Sequence, residues 1–139
     1  MESEDNSPKP TLKFTYEDYR TAPEDRRYEL LDGDLLLVPS PVTYHQRILL
    51  RLTTILDRFV QSKGVGEVFI APYGVVLSGY DVVQPDILSV SNERAHIINP
   101  DNIRGGPDLV VDVLSPSTAE RDLGYKQTLY ARHSVGEYW

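Results

Sequence analysis

The chain contains no cysteine, which excludes a disulfide framework, a thiolate zinc cluster and a thiol nucleophile. No apolar run approaches the ~20 residues that a membrane helix requires, and Met1 to Pro10 lack the charged-then-apolar order of a signal peptide. A soluble, cytoplasmic protein without membrane contact is therefore expected. There is no G-x-S-x-G elbow, no phosphate-cradling G-x-x-x-x-G-K-[ST] loop and no dinucleotide fingerprint. Serine hydrolase, nucleotidase and dehydrogenase readings lose their usual anchors. His45, His96 and His133 show no metal-ligand spacing, so nothing supports a zinc site.

Basic charge is also short. Fourteen Lys and Arg against 21 Asp and Glu leave a net charge of −7, whereas proteins that hold nucleic acid by bulk electrostatics are usually strongly basic. The distribution is uneven, however. Glu2, Glu4 and Asp5 face only Lys9 in the first ten residues, while Thr43 to Lys63 carries Arg47, Arg51, Arg58 and Lys63 against Asp57 alone. A local basic face is compatible with the acidic total.

What is present suffices for one domain: 139 residues with 40% hydrophobic content can build a single core. Residues 1–10, MESEDNSPKP, read as a disordered tail, which assigns 11–139 to the domain. Thr15 caps a short helix to Arg20, with Asp18 in its acidic first turn. YELLDGDLLLV predicts strands Tyr28 to Leu31 and Leu35 to Val38 around the Asp32-Gly33 turn. Pro39-Ser40-Pro41 stops the second strand, and Thr43 caps a long helix that Gly64 terminates. Its apolar face comprises Ile48, Leu49, Leu52, Ile55, Leu56, Phe59 and Val60.

Further strands are expected at Glu67 to Ala71, Gly74 to Leu77, Val82 to Val90 with a break at Pro85, and Leu109 to Leu114. The last is a continuous apolar run, as in a strand covered on both faces. The Asn-, Gly- and Pro-rich stretch from Ser91 to Asp108 predicts a loop with one helical turn. Ser115 to Thr118 form a turn and cap, Ala119 to about Arg132 a helix, and Val135 to Trp139 the start of another strand. The fold class is α/β.

Asp86 and Asp112 each sit in or beside an apolar strand, where an unpaired ionised carboxylate is costly. An Asp in a Pro-Asp turn and an Asp paired with an arginine would account for them blandly. If the two converge, their hard oxygens suit Mg²⁺ or Mn²⁺, and the backbone carbonyl of Val113 could add a ligand. Lys126 and Tyr130 share a face of the following helix at i, i+4 spacing. An ammonium there would stabilise developing negative charge, or simply face solvent. Glu29, in the first hairpin strand, is an auxiliary carboxylate or an exposed strand residue. His45, in the first turn of the long helix, contacts phosphate, orients Glu29 or bonds at the surface.

YELLDGDLLLVPSPVTYHQRILLRL, VVQPDILSV and GGPDLVVDVLSPSTAERDLGYKQTLYARHSVGEYW, in that order, closely resemble the Uma-type family of putative restriction endonucleases, placed in the PD-(D/E)XK nuclease superfamily. The resemblance covers nearly everything from Thr15 to Trp139. It implies an α+β, restriction-endonuclease-like fold, a mixed central sheet flanked by helices, with Asp86 and Asp112 as metal ligands. The superfamily's lysine usually lies two residues after the second acid, where this chain has Leu114; Lys126 on the helix is the residue that fits instead. Glu29, His45 and Tyr130 carry over beside it. Family members more often have Glu at the position of Asp112, and they continue beyond the EYW run, which implies a C-terminally truncated fold whose unpaired edge is open to a homodimer partner.

Two functions remain in play. One is Mg²⁺-dependent endonucleolytic hydrolysis of nucleic acid, DNA being the expected substrate, with Mn²⁺ as a substitute ion. The other is a catalytically weak or inactive nuclease-fold module that binds nucleic acid or protein.

Overall fold

The computed structural model describes residues 12–114 and 119–139, with the backbone alone for 119–122. The expected tail at 1–10 and the cap at Ser115 to Thr118 lie outside the described residues.

Helix α1 (Tyr16–Arg20) starts where the Asp18 carboxylate accepts from the Thr15 amide at 2.9 Å and from its hydroxyl at 3.2 Å. Strands β1 (Tyr28–Leu31) and β2 (Asp34–Leu37) form the expected hairpin. Asp32 and Gly33 adopt φ of 49° and 80°, the positive values a two-residue hairpin turn demands. Because Leu31 pairs with Asp34 directly, β2 begins one residue earlier than the apolar pattern suggests.

Helix α2 (Thr43–Lys63) is the longest element. Its cap position is Val42, not Thr43, which is already helical, and the cap residue offers no side-chain hydrogen bond to the first turn. Gly64 closes the helix in the left-handed conformation, φ 62°. The inward stripe runs through Ile48, Leu49, Leu52, Leu56 and Val60, and it includes His45. Two residues expected in it face out instead, Ile55 at 64% exposure and Phe59 at 58%. Ile55 falls on the outer flank of the stripe, whereas Phe59 is in line with it but lies toward the C-terminal end of the helix, with the Lys63 ammonium 6.0 Å from its ring centroid.

The remaining elements are β3 (Gly66–Ile70), β4 (Val75–Ser78), β5 (Asp81–Val83), β6 (Ile87–Ser91), a 3₁₀ helix (Asn92–Ile97), β7 (Ile103–Arg104), β8 (Leu109–Val111), α3 (Ala119–Arg132) and β9 (Glu137–Tyr138). They form two mixed sheets, not one central sheet: a five-stranded sheet ordered β2-β1-β5-β4-β7 and a four-stranded sheet ordered β3-β6-β8-β9. The pairs β4 with β7 and β8 with β9 are parallel, the rest antiparallel. The expected strand Val82 to Val90 is divided between the sheets at Gln84-Pro85-Asp86. Proline has no N–H to give to a ladder, so the chain changes partners there. The stretch read as a loop holds β7 as well as a helical turn, and Leu114, read as the end of a covered strand, lies beyond β8 and is 45% exposed.

Both sheets and α3 contribute to one core: Val75, Val83, Leu88, Ile103, Val110 and Leu129 are each inaccessible to solvent. Gly106 lets the chain returning from α3 toward β9 pass against it, since a Cβ there would collide with the His133 carbonyl oxygen.

Asp81 ties the first hairpin to α3. Its carboxylate accepts from the Asp32 amide at 2.9 Å, the Tyr125 hydroxyl at 2.7 Å and the Ser78 hydroxyl at 2.7 Å. Burial pushes its pKa up, but these bonds outweigh burial and hold it below the usual carboxylate range. A depressed value means that the stabilisation is complete above the ordinary carboxylate pKa and is lost as pH falls through the folded one. Asp81→Ala, which orphans three donors, is expected to cost about 2 kcal/mol or more near neutral pH. The deficit should shrink as pH falls below about 4, as measured by urea denaturation across pH; a deficit that does not change with pH would contradict this assignment.

Candidate active site

The register of β6 against β8 pairs Ile87 with Val111. Extended by one residue it sets Asp86 opposite Asp112, and opposed residues of an antiparallel pair project from the same face. The two carboxylates thus stand side by side where the four-stranded sheet ends.

Asp86 is held by two donors: the Val113 amide reaches its Oδ2 at 2.7 Å and His45 Nε2 lies at 3.2 Å. His45 belongs to the first turn of α2, and its Nδ1 is buried without a partner. The carboxylate contact places the imidazole proton on Nε2. Asp112 Oδ2 accepts from the Tyr138 hydroxyl at 3.0 Å, and the Lys126 ammonium lies 3.7 Å away. Lys126 in turn bonds Glu29 Oε1 at 2.9 Å, and Glu29 Oε2 accepts from the Gln84 amide at 2.8 Å. Lys126 and Glu29 are both buried, 8% and 7% exposed, so the reading of either as a solvated residue is wrong. A buried ammonium between two carboxylates joins β1, α3 and β8.

Burial pushes the Asp112 carboxyl above its ordinary pKa, and the Asp86 charge adds to that, against the lowering effect of Lys126 and Tyr138. The arrangement is short of positive charge at this carboxylate. Tyr130 stands behind the site rather than in it: 1% exposed, it packs edge-on against Tyr138 with ring centroids 4.7 Å apart. Burial and the Asp112 and Glu29 charges drive its phenol well above the ordinary value, so it stays neutral.

Glu29, His45, Asp86, Asp112, Val113 and Lys126 line one cavity of about 210 Å³, walled further by Leu36, Pro39, Pro41, Tyr44 and Leu114. Three contributors were not singled out from the sequence: Tyr138, Gln84 and Arg27. The Gln84 side chain links Arg27 Nε, at 2.8 Å, to the Tyr19 hydroxyl, at 2.7 Å, while its backbone holds Glu29. Only its place beside Pro85-Asp86 hinted at a role.

Among the described residues no three acidic or histidine side chains converge tightly enough to hold a metal ion unaided. Mg²⁺ does not need them, since it is commonly held by one or two carboxylates together with water and substrate phosphate. Asp86 and Asp112 meet that requirement, and the unrelieved charge on Asp112 would be offset by a cation. The residues fit an oxygen-liganded divalent ion.

The family model described as "Uma2: Putative restriction endonuclease" matches residues 15–139. A search of curated proteins gives no match. Among solved structures, this chain is similar to a putative nuclease belonging to DUF820 from Anabaena variabilis ATCC 29413. The identity is 18%, the likeness covers 91% of this chain and 72% of that one, and the TM-score is 0.76. At that identity the likeness establishes a shared fold.

A raised carboxylate destabilises the folded state increasingly as pH climbs from the unfolded value through the folded one. Asp112→Asn, which keeps the shape and removes the charge, is therefore expected to melt at or above the parent temperature at neutral pH. Its advantage should grow as pH rises from about 4, as followed by thermal melts of both proteins. A variant that melts lower than the parent at every pH would show that the ionised carboxylate stabilises the fold.

Proposed function

The chain belongs to the Uma2 family of putative restriction endonucleases, and on that footing we propose that the cavity hydrolyses phosphodiester bonds of DNA with a divalent cation at Asp86 and Asp112. The observation that carries the reading is the pair of cross-strand carboxylates with a buried ammonium at its edge. A bound Mg²⁺ or Mn²⁺ would supply Lewis acidity and a water of lowered pKa. The protein's own residues do the rest. Val113 N–H and His45 fix the Asp86 carboxylate, and Tyr138 fixes that of Asp112, so both present their oxygens without reorganisation. Glu29 pairs with Lys126 and aims it, and an ammonium held there would meet negative charge developing on a transferring phosphate. Leu36, Pro39, Pro41 and Leu114 supply apolar walls, which strengthen these charges by limiting water.

One observation favours a second reading. Lys126 already bridges Glu29 and Asp112, so the site is partly charge-compensated without metal, as a binding module that does not turn over would be.

Supercoiled plasmid incubated with the protein and Mg²⁺ or Mn²⁺ separates the two. Nicking or linearisation that chelation stops, and that Asp112→Asn lowers by a factor of about 100 or more, supports hydrolysis. Cleavage undiminished in Asp112→Asn, which the pH argument above expects to stay folded, removes this carboxylate from the chemistry. DNA retention without metal-dependent cleavage supports the binding module.

A further inference from the structure

Helix α2 buries one side and leaves the other to solvent, and the solvent side is not neutral. Arg47, Arg51 and Arg58 are all exposed, as is Tyr44 at 68%. At 3.6 residues per turn these four fall within about 60° of one another around the helix axis, and Ile55 lies along the same row. At 1.5 Å per residue, Arg47 and Arg58 are separated by about 16 Å along that axis. Asp57, the helix's one carboxylate, projects to the side of the row. Among the described residues none of the three guanidiniums has an ion-pair or hydrogen-bond partner.

The row has a direction. Its first turn carries Tyr44 and His45, both of which line the catalytic cavity, and His45 is bonded to Asp86. The arginines continue from that point away from the site. Helix α2 sets four cationic side chains against one carboxylate within a chain of net charge −7, so the rest of the molecule is more acidic still. A polyanion is repelled elsewhere and attracted here.

We propose that the outer face of α2 is the track for the phosphodiester backbone of the substrate. Arg47, Arg51 and Arg58 bind phosphates on one flank of the bond that enters the cavity, and Tyr44 marks the junction. The inference rests on the phosphodiesterase reading above. Arginine suits the task because its planar fork pairs with phosphate oxygens. Contacts of this kind position the strand and read no bases, so the track confers affinity without sequence preference.

The test uses a fluorescein-labelled duplex of mixed sequence and anisotropy titrations over a range of salt, all in the Asp112→Asn background to suppress cleavage. Each Arg→Gln change is expected to make the slope of log affinity against log salt shallower by about 0.9, and the triple variant by about 2.7. Arg20→Gln, off the helix and paired with Glu17 at 3.0 Å, controls for net charge and should leave the slope unchanged. An unaltered slope in the triple variant, with helicity and melting temperature preserved, overturns the track even if the parent cleaves plasmid. A shallower slope in a protein that never cleaves keeps the track and removes hydrolysis instead. If sedimentation shows that the triple variant loses a dimer while its DNA affinity is unchanged, the face binds a second copy and the proposal fails.

Discussion

The Lys126 ammonium is the point on which the centre of this molecule turns. It sits almost out of solvent, bonded to Glu29 and close to Asp112, and no two of these three residues come from the same element. Charges removed from water cost several kcal/mol each unless they are paired and bonded. Removing Lys126 would leave the Glu29 carboxylate buried without its cation. The hairpin, the last helix and the end of β8 are therefore held in mutual position by electrostatics as well as packing. That demand also places the charges where a phosphate could use them.

The same cluster explains why the two halves of the architecture behave as one site. Glu29 and the Gln84 amide come from the five-stranded sheet, Asp112 and Tyr138 from the four-stranded sheet. Neither sheet alone contains the constellation. The electrostatics are left unbalanced at the Asp112 carboxyl, whose burial and acidic neighbour outweigh its donors. Proteins commonly leave such imbalance where a ligand or reaction will relieve it.

Much of the fold was legible because its signals are local. The Asp32-Gly33 turn, the Gly64 stop and the three-and-four spacing of α2 each act within a few residues, and the structure agrees with them to within one or two positions. Local patterns failed where tertiary pairing decides. Val82 to Val90 reads as one interrupted strand, yet its halves pair in different sheets. Ile55 and Phe59 pass as core by their spacing along α2, yet both are exposed. At the site, Asp86, Asp112, Lys126, Glu29 and His45 could be singled out as charges or polar groups in suspicious places, with the family resemblance joining them. Gln84 and Tyr138 could not, because their contributions, a backbone N–H at 55 residues' separation and a phenol from the last strand, leave no trace in neighbouring sequence.

The link Gln84-Pro85-Asp86 works as a ruler of fixed length. Its first residue presents an amide to Glu29 in one sheet and its last presents a carboxylate beside Asp112 in the other. Each end is pinned by its own ladder, Gln84 directly after β5 and Asp86 directly before β6, so adding or deleting a single residue between them would alter the spacing of the two sheets and part Glu29 from the Asp86 and Asp112 pair. Length variation among relatives should therefore gather in the Ser91 to Asp108 connection and avoid this tripeptide, because its length sets how far Glu29 stands from the paired carboxylates.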